Sequence, residues 1–274
     1  VDQKGKKGVW NRFAIGEVAG EQIIGVWYQP KGEYERWGKA GIDRCLPLIS
    51  PRPGELILDL ACGFGTFTYL CAKEGAEVVG LDISEACLRG ALDACSRLVA
   101  HSSYHFVLGD VTRLPFAGAS FDKVVSIDGF EHFTWSQKRT LVAEAHRVLK
   151  PGGIFVVYTP NLFTKAIKVL RLNLINLALC RLNRLISTTS YLAEREPTHI
   201  GMTSPFKLRR LFKRNRFTIR FYYSTSGGKK KRSGYRALIR EKLPLLRDVL
   251  NGRIAIVAAR VGSAASLSTL GTRR

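Results

Sequence analysis

Residues 55–84 read ELILDLACGFGTFTYLCAKEGAEVVGLDIS, an apolar run, a glycine-rich turn, a helical stretch and a second apolar run that stops at an acid. Leu56, Ile57, Leu58 and Leu60 suit a short parallel strand buried on both faces, interrupted near its carboxyl end by Asp59. The turn Ala61-Cys62-Gly63-Phe64-Gly65 lets the main chain approach a ligand closely, because glycine has no Cβ and tolerates positive φ. Residues 66–74 read as the following helix and 76–81 as the next strand, which ends at Asp82. An acid about 20 residues beyond such a turn, at the tip of the second strand, is where this kind of fold hydrogen-bonds the ribose hydroxyls of an adenosine ligand. The segment is therefore half of a nucleotide-binding α/β fold.

A dinucleotide site requires G-x-G-x-x-G, with helix amides aimed at a pyrophosphate. Here the turn runs Gly63-Phe64-Gly65-Thr66-Phe67-Thr68 and lacks the third glycine, so a dinucleotide such as NAD is the weaker reading. Instead, D-L-A-C-G-F-G-T at 59–66 and G-L-D-I-S at 80–84 resemble the first motif and the ribose acid of class I S-adenosylmethionine-dependent methyltransferases. Gly109-Asp110-Val111, then Leu114-Pro115-Phe116 and Ser120-Phe121-Asp122-Lys123-Val124-Val125, are similar to the family's run around strand four. Arg147-Val148-Leu149-Lys150-Pro151-Gly152-Gly153 is similar to its helix end and turn. That last run also has a physical reading, since Lys150 favours a helix C-terminus, Pro151 stops the helix and the glycines supply a turn. The resemblance is to small-molecule methyltransferases of the ubiquinone and menaquinone biosynthesis type and their relatives in glycan and natural-product pathways. It covers about residues 55–159 well and continues weakly through Thr198-His199-Ile200 and Ser204-Pro205. The resemblance implies S-adenosylmethionine as cofactor, held by Asp59, Ala61, Gly63, Gly65, Asp82, Ile83, Asp110, Val111 and Asp128, with Asp110 at the adenine amino group.

The rest of the chain continues the pattern. Ser84 caps a helix reaching about residue 99, strands are expected over 104–108, 123–127 and 154–158, and a helix over 136–149. The last two strands, 217–223 and 253–261, form an antiparallel pair in the family. The predicted fold is an α/β, doubly wound Rossmann-like sheet, mostly parallel with an antiparallel last strand. All 274 residues fit one such domain. Within it, 1–54 is an N-terminal helical cap and 55–160 the cofactor-binding core. Residues 161–203 are a basic helical insertion in the family's lid position, and 204–274 hold a helix and the last two strands. Trp10, Trp27, Tyr28, Tyr34 and Trp37 in the cap either help close a substrate pocket, as the resemblance implies, or simply pack on the sheet.

The net charge of +21 is concentrated in one region. Residues 1–160 carry 18 Lys plus Arg against 18 Asp plus Glu, whereas 161–240 carry 19 against 2. A one-sided surplus of this kind creates a strong local field and implies an anionic partner, substrate or surface. Its most compact part is Lys229-Lys230-Lys231-Arg232, flanked by glycines in a loop between the last two strands. The leucine-rich insertion 162–192 also carries Lys165, Lys168, Arg171, Arg181 and Arg184. Its longest uncharged run, 172–180, falls far short of the about 20 residues that span a bilayer. An ordinary packed lid is the first expectation for it, and contact with an anionic membrane surface the second. Six cysteines form no C-x-x-C pair, and the basic N-terminus has no apolar core behind it. Together these lead to the expectation of a cytoplasmic protein, peripheral at the membrane if that second reading holds.

Methyl transfer from a sulfonium needs alignment in a dry pocket, and a general base when the acceptor is a hydroxyl or an acidic carbon. Candidates follow strand four, in Asp128-Gly129-Phe130-Glu131-His132. His132 and Glu131 are the expected catalytic pair, with His199 joining them where the lid returns to the sheet; the alternative for each histidine is a structural hydrogen bond. No resident metal is expected, although Asp128, Glu131 and His132 match the acid-x-x-Glu-His spacing with which some quinone-biosynthesis O-methyltransferases hold a divalent ion. The leading function is O- or C-methylation of a small-molecule or lipid-linked acceptor. The basic half also admits an RNA methyltransferase, but no RNA-binding module, Asn/Asp-Pro-Pro-Tyr motif or catalytic cysteine motif accompanies it. A non-catalytic cofactor-binding scaffold is the third reading, and the intact set Asp59, Gly63, Gly65, Asp82 and Asp110 weighs against it.

Overall fold

In the computed structural model, residues 41–42, 44–98, 104–195, 199–223 and 252–261 are described. The cap aromatics and the Lys229–Arg232 loop lie outside the described residues. The strands are β1 (Leu56–Leu60), β2 (Glu77–Asp82), β3 (Tyr104–Leu108), β4 (Phe121–Ile127), β5 (Leu149–Pro160), β6 (Phe217–Tyr223) and β7 (Arg253–Arg260). The helices are α1 (Thr66–Lys73), α2 (Glu85–Leu98), α3 (Trp135–Val148), α4 (Leu162–Ala178), α5 (Thr188–Arg195) and α6 (Pro205–Arg214), preceded by a helical segment within 41–49.

The seven strands form one sheet in the order β3-β2-β1-β4-β5-β7-β6. The first five are parallel, and β7 runs antiparallel to both β5 and β6. The strand order reverses between β1 and β4, so their carboxyl ends open the crevice in which doubly wound sheets bind ligands.

Alternation along the strands splits the core into two layers. Leu58, Val124, Phe155 and Ile256 face the layer that includes Leu141, Val142, Leu208 and Phe212 of α3 and α6. Their neighbours Ile57, Val125, Val156 and Val257 face the layer that includes Cys71 and Ala72 of α1 and Cys45 and Ile49 of the 41–49 segment. Period-two side-chain placement makes both faces apolar, as a sheet covered by helices requires.

Helix α3 starts on a capping box in which the Thr134 side chain accepts from Gln137 and the Gln137 side chain accepts from the Thr134 main chain. It ends one residue before the expected boundary, and β5 begins at Leu149 instead of 154. Leu149 pairs with Phe121, the register shifts through Pro151 and the glycines, and pairing resumes between Lys123 and Ile154. The interruption follows from Pro151, which has no N–H to donate, and from Gly152 at φ 80. Lys150, expected to complement the helix end, forms an ion pair with Asp122 at 2.8 Å.

The insertion contains α4, a short turn Leu182–Arg184 and α5, and returns alongside its own start through a parallel bridge between Asn161 and Thr203. Its helix α4 is sparsely packed. Of α4, only Val169 and Asn176 are buried, and most of its leucines are exposed.

Candidate active site

The turn after β1 and the tips of β2 and β3 form the first half of the site. Asp82 is buried, and its two oxygens accept main-chain N–H groups from Gly63 and Ser84, each at 2.9 Å. Burial pushes its carboxyl above the usual range, opposed by those N–H donors and that of Ile83. The Gly109 N–H donates to the Asp82 carbonyl at 2.9 Å, tying the tip of β3 to that of β2. Asp110 follows directly; its Oδ1 accepts from the Thr112 N–H at 2.9 Å, and the next residue, Val111, is buried.

The turn fits a bound nucleoside. A Cβ on Gly63, at φ 53, would meet no protein atom within 4 Å, so the main chain there faces open space. At Gly65, φ is 74 and a Cβ would come within 2.9 Å of the Phe106 ring, so glycine is required on both counts. Ala61 holds a left-handed φ of 57 without being glycine, local strain of the kind found at binding sites. Asp59 is turned into the fold, where Oδ2 accepts from the Thr68 hydroxyl at 2.8 Å and joins β1 to α1. Burial pushes its carboxyl up to about 7, against the opposing hydrogen bonds from Thr68.

The second half lies beyond β4. Asp128 adopts φ 52 and forms an ion pair with Arg253 at the start of β7. The short helical turn Phe130–His132 then carries Glu131, whose side chain is buried and accepts from Thr159 Oγ1 at 3.1 Å. The Glu131 carbonyl accepts from the Gly201 N–H at 2.9 Å, and buried Lys138 donates to the Gly201 carbonyl. These two bonds hold the returning lid segment against the turn and bring His199 to His132, with ring centroids 5.0 Å apart. Glu131, His132 and His199 thus meet.

Burial, and then the neighbouring Glu131, push the Asp128 carboxyl up, while Arg253 opposes the shift. Glu131 is pushed up mainly by burial, opposed in part by His199 and Arg253. Glu131, His132 and His199 each offer one ligand atom, and these atoms lie within 4.8 Å of one another. One carboxylate oxygen and two imidazole nitrogens suit zinc or a similar transition ion better than magnesium. Sequence spacing grouped Asp128 with Glu131 and His132; in the fold Asp128 is engaged by Arg253, and His199 completes the cluster.

Arg253, Thr159 and Lys138 escaped the sequence reading. Arg253 stacks over Tyr158, its guanidinium carbon 5.2 Å from the ring centroid, and Arg44 donates to the Tyr158 hydroxyl at 3.3 Å. Only an arginine opening an apolar run, in a strand that closes on Arg260, hinted at Arg253.

Residues 57–153 match a family described as a methyltransferase domain. An uncharacterized methyltransferase of Synechocystis is 40% identical over 114 residues, covering 41% of this chain and 51% of that protein. A demethylmenaquinone methyltransferase of Symbiobacterium thermophilum is 39% identical over 132 residues, covering 46% and 49%. The chain spans about half the length of these curated relatives. Among solved structures, magnesium protoporphyrin IX methyltransferase from Synechocystis with bound SAH superposes with a TM-score of 0.62 at 14% identity, over 94% of this chain and 98% of that one, a likeness of fold. The strand order and the open turn at Gly63 accord with this match: residues 57–153 are similar to a methyltransferase domain, and the chain shares the fold of a solved methyltransferase.

Proposed function

We propose that the chain transfers a methyl group from S-adenosylmethionine to oxygen or carbon of a small-molecule or lipid-linked acceptor. The observation that carries this reading is the Asp82 carboxylate at the tip of β2, which accepts the Gly63 N–H of the open turn, with Asp110 two residues beyond the end of β3. Asp82 would hold the ribose hydroxyls and Asp110 the adenine, and Ala61, Gly63 and Gly65 would line the turn. Asp59 would act one step removed, by fixing α1 against β1 through Thr68. The bound sulfonium supplies an activated methyl group and its own leaving group.

The chain's remaining work is to place the acceptor and take its proton. His132 and His199 stand at the carboxyl end of β4, on the side of the crevice away from β3. An imidazole there accepts the proton released as the acceptor attacks, and Glu131 stabilises the resulting imidazolium to the extent that it is ionised. The same reading is supported by matched relatives named as a demethylmenaquinone methyltransferase and an O-methyltransferase.

Calorimetric titration of the purified chain with S-adenosylmethionine and with NAD tests the cofactor. Saturable binding of the first alone is expected, and preference for NAD would overturn the assignment.

A further inference from the structure

Helix α4 turns polar side chains inward and leucines outward. Asn176 is buried and donates to the Arg184 carbonyl at 3.0 Å. Asn173 donates to the Ile186 carbonyl at 2.8 Å and accepts the Ile186 N–H at 3.1 Å. These bonds fold residues 182–186 back along the helix. Leu170, Leu174 and Leu177, spaced i, i+4, i+7 as one stripe, are 58%, 56% and 54% exposed. Ile175, Leu179 and Leu182 are exposed to a similar degree. Of the 14 large apolar side chains exposed among the described residues, 8 fall between 170 and 185. A helix resting on its own domain does the opposite, and an exposed apolar patch beyond a few hundred Å² marks a contact surface.

The charges around the stripe select its occupant. Lys168, Arg171, Arg181 and Arg184 are exposed within or beside it, and no acid occurs from 162 to 193. A second copy meeting this face would set two positive surfaces together. A nucleic acid would satisfy the cations and leave the leucines in water. A bilayer with anionic headgroups satisfies both, because apolar side chains enter the acyl boundary while arginine and lysine reach the phosphates. None of the helices among the described residues is long and apolar enough to cross a membrane, so the element lies along the interface.

We propose that α4 and residues 179–186 dock this protein on the surface of an anionic bilayer. Because α4 follows β5 directly, and Thr159 near the end of β5 bonds Glu131, docking sets the catalytic end of the sheet close to the membrane. The surface is a property of the insertion and stands whether or not the chain transfers methyl groups.

Co-sedimentation with vesicles tests it, using phosphatidylcholine alone and phosphatidylcholine mixed with phosphatidylglycerol. Binding to the mixed vesicles is expected at low salt, about tenfold stronger than to phosphatidylcholine and weakening as salt screens the charges. Replacing Leu174→Gln and Leu177→Gln together should lower binding about tenfold, with far-UV dichroism and melting temperature unchanged. Replacing Arg171→Gln and Arg181→Gln should flatten the salt dependence. The proposal fails if the protein ignores mixed vesicles at low salt, or if the leucine variant binds them as the parent does. It fails equally if the leucine stripe proves to hold a dimer in sedimentation equilibrium, or if homopolymer RNA binds where vesicles do not.

Discussion

Arg253, the first residue of β7, donates to the carboxylate of Asp128, the residue that leaves β4. The pair joins positions 125 residues apart and closes the sheet side of the candidate active site. Asp128 holds a left-handed φ of 52, so the ion pair also anchors the bend that presents Glu131 and His132.

Removing the guanidinium should leave a largely buried carboxylate without its cation. Arg253→Met is expected to destabilise the fold by about 2 kcal/mol, below the range for fully buried pairs because both side chains retain some exposure. Adding Asp128→Asn should recover much of that loss. Urea denaturation of both variants and the double variant checks the coupling, and additive losses would show that the contact contributes nothing.

Asp82→Ala should weaken S-adenosylmethionine binding by about 1.5 to 3 kcal/mol, the value of a hydrogen bond to a charged group. The variant also frees the N–H groups of Gly63 and Ser84, which Asp82 holds at 2.9 Å, so the turn itself loosens. Asp82→Asn, which keeps an acceptor, should retain more affinity than Asp82→Ala. Calorimetry compares them, and equal affinity in all three proteins would remove Asp82 from the site.

Most of the cofactor half was legible because its chemistry is local. Gly63, Gly65 and Asp82 lie within one strand-turn-helix-strand unit, where spacing alone predicts proximity. The second half depends on residues distant in sequence. Glu131 could be singled out beside His132, but its partner Thr159 stands on β5, and the bonds that deliver His199 run through Lys138 and Gly201. Arg253 reaches the site only because β7 inserts between β5 and β6. The α4 segment reads first as a packed lid and only second as a membrane contact, since composition cannot reveal that Asn173 and Asn176 take the inner positions.

His132→Ala should lower turnover at least about tenfold while leaving S-adenosylmethionine affinity nearly intact, as expected for loss of a proton acceptor. Single-turnover kinetics and calorimetry separate the two effects. Activity is expected to persist in a chelator. Activity lost on chelation and restored by a divalent ion would instead make Glu131, His132 and His199 metal ligands.

Gly201→Ala tests how His199 is positioned. A Cβ there would land on the Phe133 carbonyl oxygen and crowd the Lys138 amine, which itself bonds the Gly201 carbonyl. Relief requires the returning lid segment to move away from the turn that carries His132. The expected cost is about 1 to 3 kcal/mol of stability, as for other overpacked sites. Turnover should fall with little change in cofactor affinity, because the atoms a Cβ at Gly201 would meet belong to Phe133 and Lys138 and not to the Asp82 cradle. A variant with the parent's melting temperature and turnover would show that the loop yields freely.

Asp59 links the fold to pH. Its carboxyl is pushed from the ordinary carboxylate range up to about 7 by burial, so the folded cofactor-free protein retains a proton that the unfolded chain releases near 4. The folded state therefore binds more protons between those values, and stability must fall as pH rises through that window. The contribution is fully present below the unfolded value and is lost as pH passes about 7. Asp59→Asn removes the titration yet keeps an oxygen able to accept from the Thr68 hydroxyl, now 2.8 Å from Oδ2. Unfolding free energy measured in denaturant should decline less steeply from pH 4.5 to 7.5 in this variant than in the parent. Some slope should remain, since burial also raises Asp82, Asp128 and Glu131 and their contributions carry the same sign. An unchanged slope in Asp59→Asn would mean that Asp59 is already ionised in the folded protein, with the Thr68 hydrogen bond enough to hold its charge.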